Sequence, residues 1–342
     1  MRFHTIPRVG LACCALASLS GLAAAQSTVT VFGVIDVGVQ HLSNGPKSVA
    51  LMSIDGLQTS RLGFRGAEDL GGGISASFHL EGALAPETGA QMLDFRRRST
   101  VSLATKTLGE LRLGRDYAPT FWNISRFNAF GTNGVGAASN LIYGFDGVAG
   151  SAPSVVRSSN AVGYFLPRDL GGLYGQAMVA AGEGAPGKYI GARLGYAAGA
   201  LDVAASVSDT DNNAAGDKFR VSSIGGSYVL GDAKLFALVH VSKQTTRAQK
   251  NRVLGGHYVV GLTTLRVSHV RADYSNSADS ADYSGNLLAL GVVQALSKRT
   301  SLYATTSRVS NSSTAKYVIP GGSAVAAGQG SRGTELGVYH TF

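Results

Sequence analysis

Arginine is the residue type most able to do chemistry in this chain. Arg61, Arg96, Arg98, Arg115 and Arg157 fall within its first half. A guanidinium stays charged at any physiological pH and presents five donors in a planar fork, a shape suited to anions. Between Tyr117 and Val155 the sequence has one acid, Asp146, and one base, Arg126. Fixed cations facing so few carboxylates would sort ions by charge; they have no means of making or breaking bonds. Other leads are weaker. His240 and Ser242 stand two apart, on one face of a strand, but a nucleophilic pair needs an orienting group and an oxyanion site. No acid or amide has an evident place beside them. His41, His79, His257, His269 and His340 are dispersed without metal-ligand spacing. Gly71-Gly72-Gly73 reads as a turn, lacking the lysine and following helix of a phosphate loop. Neither catalysis nor a cofactor is expected.

The N-terminus is expected to be a cleaved secretory signal over residues 1–25. Arg2 and Arg8 make a basic start, Val9 to Leu22 an apolar core, and Ala23-Ala24-Ala25 a small-residue cleavage site before Gln26. Cleavage would remove Cys13 and Cys14, the two cysteines of the chain, as suits an oxidising envelope compartment. The whole chain has 30 Lys and Arg against 21 Asp and Glu; without the signal's two arginines the excess falls from +9 to +7. A basic balance suggests nucleic acid, yet the export signal and the scatter of the charges argue against that partner. No apolar run after the signal approaches the roughly 18 residues of a membrane helix.

The elements that must hold the arginines are short and alternating. Seven brief turn signals, near residues 71, 107, 171, 199, 231, 263 and 298, interleave with eight longer polar stretches near 50, 88, 135, 185, 213, 249, 280 and 320. Seven and eight make fifteen connections and so sixteen strands. Ile74 to Glu81 alternates strictly, as does Leu201 to Ser208, while Val29, Val31, Ile35, Val37 and Val39 form one face of the first strand. Period two puts each set on one side of a sheet. A soluble β-sandwich also alternates, but the later turns recur about every 33 residues, the length of an up-and-down strand pair. Tyr and Phe near strand ends (Tyr164, Tyr196, Tyr228 and Tyr258 among them) suit interfacial girdles. The fold class predicted is all-β: a 16-stranded antiparallel transmembrane β-barrel, with short turns on one rim and long loops on the other. A barrel this wide encloses a water-filled pore.

Alternation then orients the arginines. Leu62 and Phe64 outward put Arg61 and Arg65 inward; Val101 and Leu103 outward put Arg96 and Arg98 inward and Arg97 toward the rim. Arg115 shares parity with Leu111 and Leu113, so it reaches the pore only if a bulge near Gly114 turns it back. His79 is expected on the pore wall.

The stretches Thr30 to Asp36, Ser60 to Gly71, Arg97 to Leu103, Leu113 to Arg115 and the terminal Val338-Tyr339-His340-Thr341-Phe342 resemble the general diffusion porins of Gram-negative outer membranes, especially their anion-preferring proteobacterial branch. The resemblance runs the length of residues 26–342. It implies a homotrimer in outer-membrane lipid and lipopolysaccharide, passing small hydrophilic solutes and inorganic anions. It implies a third extracellular loop folded inward, which strand counting assigns to 117–155, and it matches Arg61, Arg115 and Arg157 to a basic constriction wall. Loop content fits: Phe121, Trp122, Phe127, Phe130, Leu141, Ile142, Tyr143 and Phe145 are too apolar for a solvated flap. Six residues are expected at the constriction: Arg61, Arg96, Arg98, Arg115, Arg157 and Asp146. A substrate-specific channel is the alternative, with Tyr117, Phe121 and Trp122 as a solute track.

Overall fold

The computed structural model describes residues 28–90, 93–145, 155–182, 187–211, 217–312 and 314–342. The expected signal, residues 1–25, lies outside the described residues. Antiparallel strands follow in order: β1 (Thr28–Asn44), β2 (Lys47–Ser53), β3 (Arg61–Gly71), β4 (Ile74–Ala83), β5 (Arg98–Thr105), β6 (Gly109–Tyr117), β7 (Arg157–Phe165) and β8 (Leu173–Ala180). The second half continues with β9 (Tyr189–Ala198), β10 (Leu201–Asp211), β11 (Lys218–Leu230), β12 (Ala233–Gln244), β13 (Arg247–Val260), β14 (Thr263–Asn276), β15 (Ala281–Ala295), β16 (Thr300–Asn311) and β17 (Ser331–Thr341). Two short helices, α1 (Pro119–Arg126) and α2 (Ser139–Ile142), lie between β6 and β7.

Polar side chains turn inward. In β10, Leu201, Val203 and Val207 are exposed, while Ser206, Ser208 and Thr210 are buried. Ile224 and Leu254 are each 63% exposed, whereas Ser223, Gln249 and Asn251 are buried. This inverts the usual soluble arrangement and gives an apolar outer band around a hydrophilic inner face. The ladder closes on itself, β1 pairing with β17 from Val34↔Thr341 to Asn44↔Ser331. That closure pairs the first strand with the last instead of leaving both as open edges. At the seam, Gly33 and Phe342 exchange backbone hydrogen bonds of 3.1 and 3.2 Å. A Cβ on Gly33 would come within 2.2 Å of the Phe342 ring, so a larger residue there would push the terminal ring aside.

Seventeen strands occupy sixteen wall positions. β2 pairs with the far half of β1 (Gly38↔Ser53 to Asn44↔Lys47), and β3 pairs with its near half (Thr28↔Ala67 to Val34↔Arg61). They are one wall strand interrupted over 54–60. Asp36 holds the interruption: its carboxylate accepts from the Leu57 and Gln58 amides at 2.7 and 2.9 Å and from the Tyr303 hydroxyl at 2.6 Å. All seven short turns fall where the sequence signals them.

The segment between β6 and β7 packs by its apolar side chains. Ile124, Phe127, Phe130, Leu141, Ile142 and Phe145 share one buried cluster with Phe219, Val221, Leu238, Val253, Val270, Leu287 and Val309 of β11 to β16. Those strand residues sit on the buried face, so β11 to β16 are apolar on both sides over part of their length. Asn123 of α1 donates to the Ala204 carbonyl and the Ser223 hydroxyl at 3.1 and 3.0 Å and accepts from Arg193 at 2.6 Å.

Candidate functional site

Glu81 organises the first group of charges. It stands on the inner face of β4, in register with Gly63 of β3 and Arg98 of β5. Arg97 reaches it at 2.6 Å, and Arg61 and His79 each at 3.6 Å. Arg97 also donates to the Tyr117 hydroxyl at 2.9 Å, and Arg157 donates to the same oxygen at 2.7 Å while its guanidinium lies 4.3 Å from that ring. Arg157 further donates to the Arg97 carbonyl at 2.7 Å, and Arg61 to the Thr59 carbonyl at 3.1 Å and the Gln58 side chain. The chain Arg61–Glu81–Arg97–Tyr117–Arg157 is therefore continuous.

A second group lies beside it on β5 and β6. Arg98 and Arg112 approach Asp116 at 3.3 and 2.6 Å, and Arg112 approaches Glu110 at 2.7 Å. The Arg112 guanidinium also stacks on Phe165 at 4.0 Å. Five guanidiniums thus face three carboxylates, a net of two positive charges. Each carboxylate is tied to arginine, which fixes the geometry of the cations as much as it dilutes their field.

Two expected members stand elsewhere. Arg96 precedes β5 instead of belonging to it; its side chain is 77% exposed and paired to Asp94 at 2.6 Å. Arg115 keeps the outer parity. The register does shift between Gly114 and Asp116, but on the β7 side, where Asn160 takes φ 53°. Pairing with β5 stays regular (Ser99↔Arg115), and Asp116 takes the inner position. Arg115 donates to the Arg96 carbonyl at 2.5 Å and to Ser159 at 2.7 Å. Arg97, expected near the rim, instead bonds Glu81. Asp146 lies outside the described residues. Arg112, Glu81 and Asp116 were not among the expected set, although pairing with Ser102 for Arg112, and strand parity with His79 for Glu81 and with Arg112 for Asp116, would have turned all three inward.

At β16, β17 and the 54–60 interruption, the 130–135 stretch is pinned to the barrel. Val135 donates to Glu335 at 3.3 Å and accepts from Ser307 at 2.6 Å, and Asn133 donates to Thr59 at 2.8 Å. Arg266 stacks on Phe130 at 4.4 Å. In the interruption between β2 and β3, burial pushes the Asp55 carboxyl up, against a hydrogen bond from Asn133. His240 and Ser242 do meet, at 3.2 Å, but both are fully buried and His240 Nδ1 has no partner among the described residues.

Comparison with known proteins decides the family. The Gram-negative porin pattern matches residues 12–314. The chain belongs to the Gram-negative porin family. This porin is 32% identical to outer membrane porin protein 32 of Delftia acidovorans, over 96% of its own length and 98% of that protein's. It also superimposes on the anion-selective porin from Comamonas acidovorans with a TM-score of 0.81 at 29% identity, covering 93% of this chain and 100% of the other. OmpT of Vibrio cholerae shares the fold at 16% identity, with a TM-score of 0.70 over 92% and 99% of the two chains. The porin is an outer-membrane β-barrel, and members of its family are diffusion channels.

Proposed function

We propose that this porin passes small hydrophilic solutes passively and prefers inorganic anions. The observation that carries the preference is the net positive wall: Arg61, Arg97, Arg98, Arg112 and Arg157 against Glu81, Glu110 and Asp116. Likeness to a porin described as anion-selective supports it. A unit charge about 5 Å from an ion in water contributes roughly 0.8 kcal/mol, and salt at physiological strength, with a Debye length of about 8 Å, removes part of that. Two net charges therefore favour anions several-fold without excluding cations.

In this reading residues 117–155 are the third extracellular loop, folded inward to narrow the pore opposite the basic wall. Its apolar packing on β11 to β16 and the Asn123 hydrogen bonds support that position. The porin works as a homotrimer in outer-membrane lipid and lipopolysaccharide, through the apolar outer face of β1. In this reading it is a channel, as its relatives are named, and not an enzyme. Reversal potentials across a KCl gradient test the preference. Chloride should be favoured, most strongly at low salt, where screening is weakest; potassium preference at low salt would overturn the proposal.

A further inference from the structure

The wall guanidiniums are not equally compensated. Arg61 and Arg97 share Glu81, Arg98 and Arg112 share Asp116, and Arg112 also meets Glu110. Arg157 has no carboxylate in ion-pair range among the described residues, so it carries charge that its neighbours do not cancel. Three contacts hold it. It donates to the Arg97 carbonyl at 2.7 Å and to the Tyr117 hydroxyl at 2.7 Å, and its guanidinium lies 4.3 Å from the Tyr117 ring. Tyr117 thus makes the larger part of its seat. The register sets this up: Tyr117 ends β6 directly opposite Arg157, which starts β7.

The same hydroxyl accepts from Arg97 at 2.9 Å, so two guanidiniums converge on one oxygen. Like charges brought this close repel, and long side chains free to turn would swing apart. Two hydrogen bonds from cations to a shared acceptor oppose that, since charge-assisted bonds are roughly twice as strong as neutral ones. The Tyr117 ring is itself held. It stacks on Phe121 at 4.6 Å and 26° and meets Trp122 at 5.3 Å, while Phe121 and Trp122 meet each other at 5.5 Å. Both belong to α1, which Asn123 ties to β9, β10 and β11. The three rings are packed on one another instead of laid out as a solute track.

We propose that Tyr117 is the positioning residue for anion preference: it holds Arg157, the uncompensated cation of the wall, beside Arg97, and α1 locks it there through Phe121 and Trp122. The inference rests on the anion-preferring reading above and adds what fixes the charge in place. Freed of Tyr117, the Arg157 side chain would turn toward bulk water, where salt screens its field. The count of charges would stay the same; their position would not.

The test measures reversal potentials of the full-length porin in planar bilayers across a KCl gradient, at low and at high salt. Tyr117→Phe keeps the ring and its stack and removes the shared oxygen. It should lower the chloride-to-potassium permeability ratio about twofold at low salt and less at high salt. Arg157→Gln should lower the ratio as well. Tyr117→Phe added to Arg157→Gln should then cost much less than it does alone, because the hydroxyl acts through that guanidinium. Phe121→Leu loosens the stack but keeps the hydroxyl, and should lower the ratio by a smaller factor; it decides the question if Tyr117→Phe does not assemble. Tyr164→Phe removes a hydroxyl from the outer face and should change nothing. Trp122 is the single tryptophan of the chain, so its emission reports on the same spot. Iodide should quench it more than caesium does in the wild type, and that excess should shrink in Tyr117→Phe. Equal losses from Tyr117→Phe with and without Arg157→Gln would overturn the assignment. So would a chloride preference untouched by Tyr117→Phe and Phe121→Leu, which leaves the anion reading standing. Potassium preference in the wild type would remove both.

Discussion

Arg96 and Arg97 are adjacent in sequence and opposite in circumstance. Arg97 is half-buried against Glu81 and Tyr117; Arg96 lies in solvent with Asp94. Parity fails here for a physical reason: alternation holds only inside a strand, and β5 begins at Arg98. Upstream, the Arg97 amide bonds the Glu81 carbonyl at 3.1 Å in an irregular approach, so face can no longer be counted. Arg115 differs in another way. Its parity is outward and the register does shift beside it, but the extra residue sits on β7, so that Gly114 at φ 121° does not carry Arg115 to the inner face. Arg97→Gln should therefore lower chloride preference by tenths to about 1 kcal/mol in reversal-potential measurements, while Arg96→Gln should leave it within error. Equal effects of the two would mean the wall group does not face the ion path. Glu81→Gln should act in the opposite direction, raising chloride preference. It should also lower the unfolding temperature, because Arg61 and Arg97 would lose their shared carboxylate.

At the level of elements, the turns were legible and the interior partners were not. Short Gly- and polar-marked turns betray themselves because a tight reversal restricts residue type. The break between β2 and β3 contains the turn pair Asp55-Gly56, but what holds it in place is Asp36, a residue far away in sequence. Likewise α1 is eight residues long, too short for a periodic signal, and its stability comes from tertiary contacts. The double-sided apolarity of β11 to β16 was the overlooked clue: a strand with Val221, Leu238 or Val253 on its inner face needs an apolar cover. If 117–155 is that cover, deleting residues 120 to 145 should raise single-channel conductance and the solute size cutoff. It should also cost stability by wetting that inner patch. A correctly assembled deletion protein of unchanged conductance would put the segment out of the current path. Asn123→Ala is the milder probe. It removes hydrogen bonds to Ala204, Ser223 and Arg193, at about 1–3 kcal/mol for the groups left unpaired, and should make the open-channel current noisier before it changes its mean.

For the whole molecule, the closed ladder settles how the chain tolerates lipid but leaves its outer surface to be divided between lipid and neighbouring copies. All around the barrel that surface is apolar, so composition alone cannot mark an interface: Val29, Val31 and Val39 of β1 are 55% to 65% exposed, and Ile224 on the far wall is 63% exposed. The distinction lies in what a buried charge would do. At the lipid face an arginine near the bilayer midplane costs about 2–4 kcal/mol and lowers barrel stability whatever the oligomeric state. At a contact between copies it would also separate them. Val31→Arg should therefore convert a heat-modifiable trimer to monomers on unheated gels and abolish cross-linking in mild detergent. Ile224→Arg should lower the melting temperature of the barrel and leave cross-linked trimers intact. The reverse pattern would move the interface to the β11 wall. Monomers alone, in the wild type as well, would remove the trimer from the account and leave each barrel a pore in its own right.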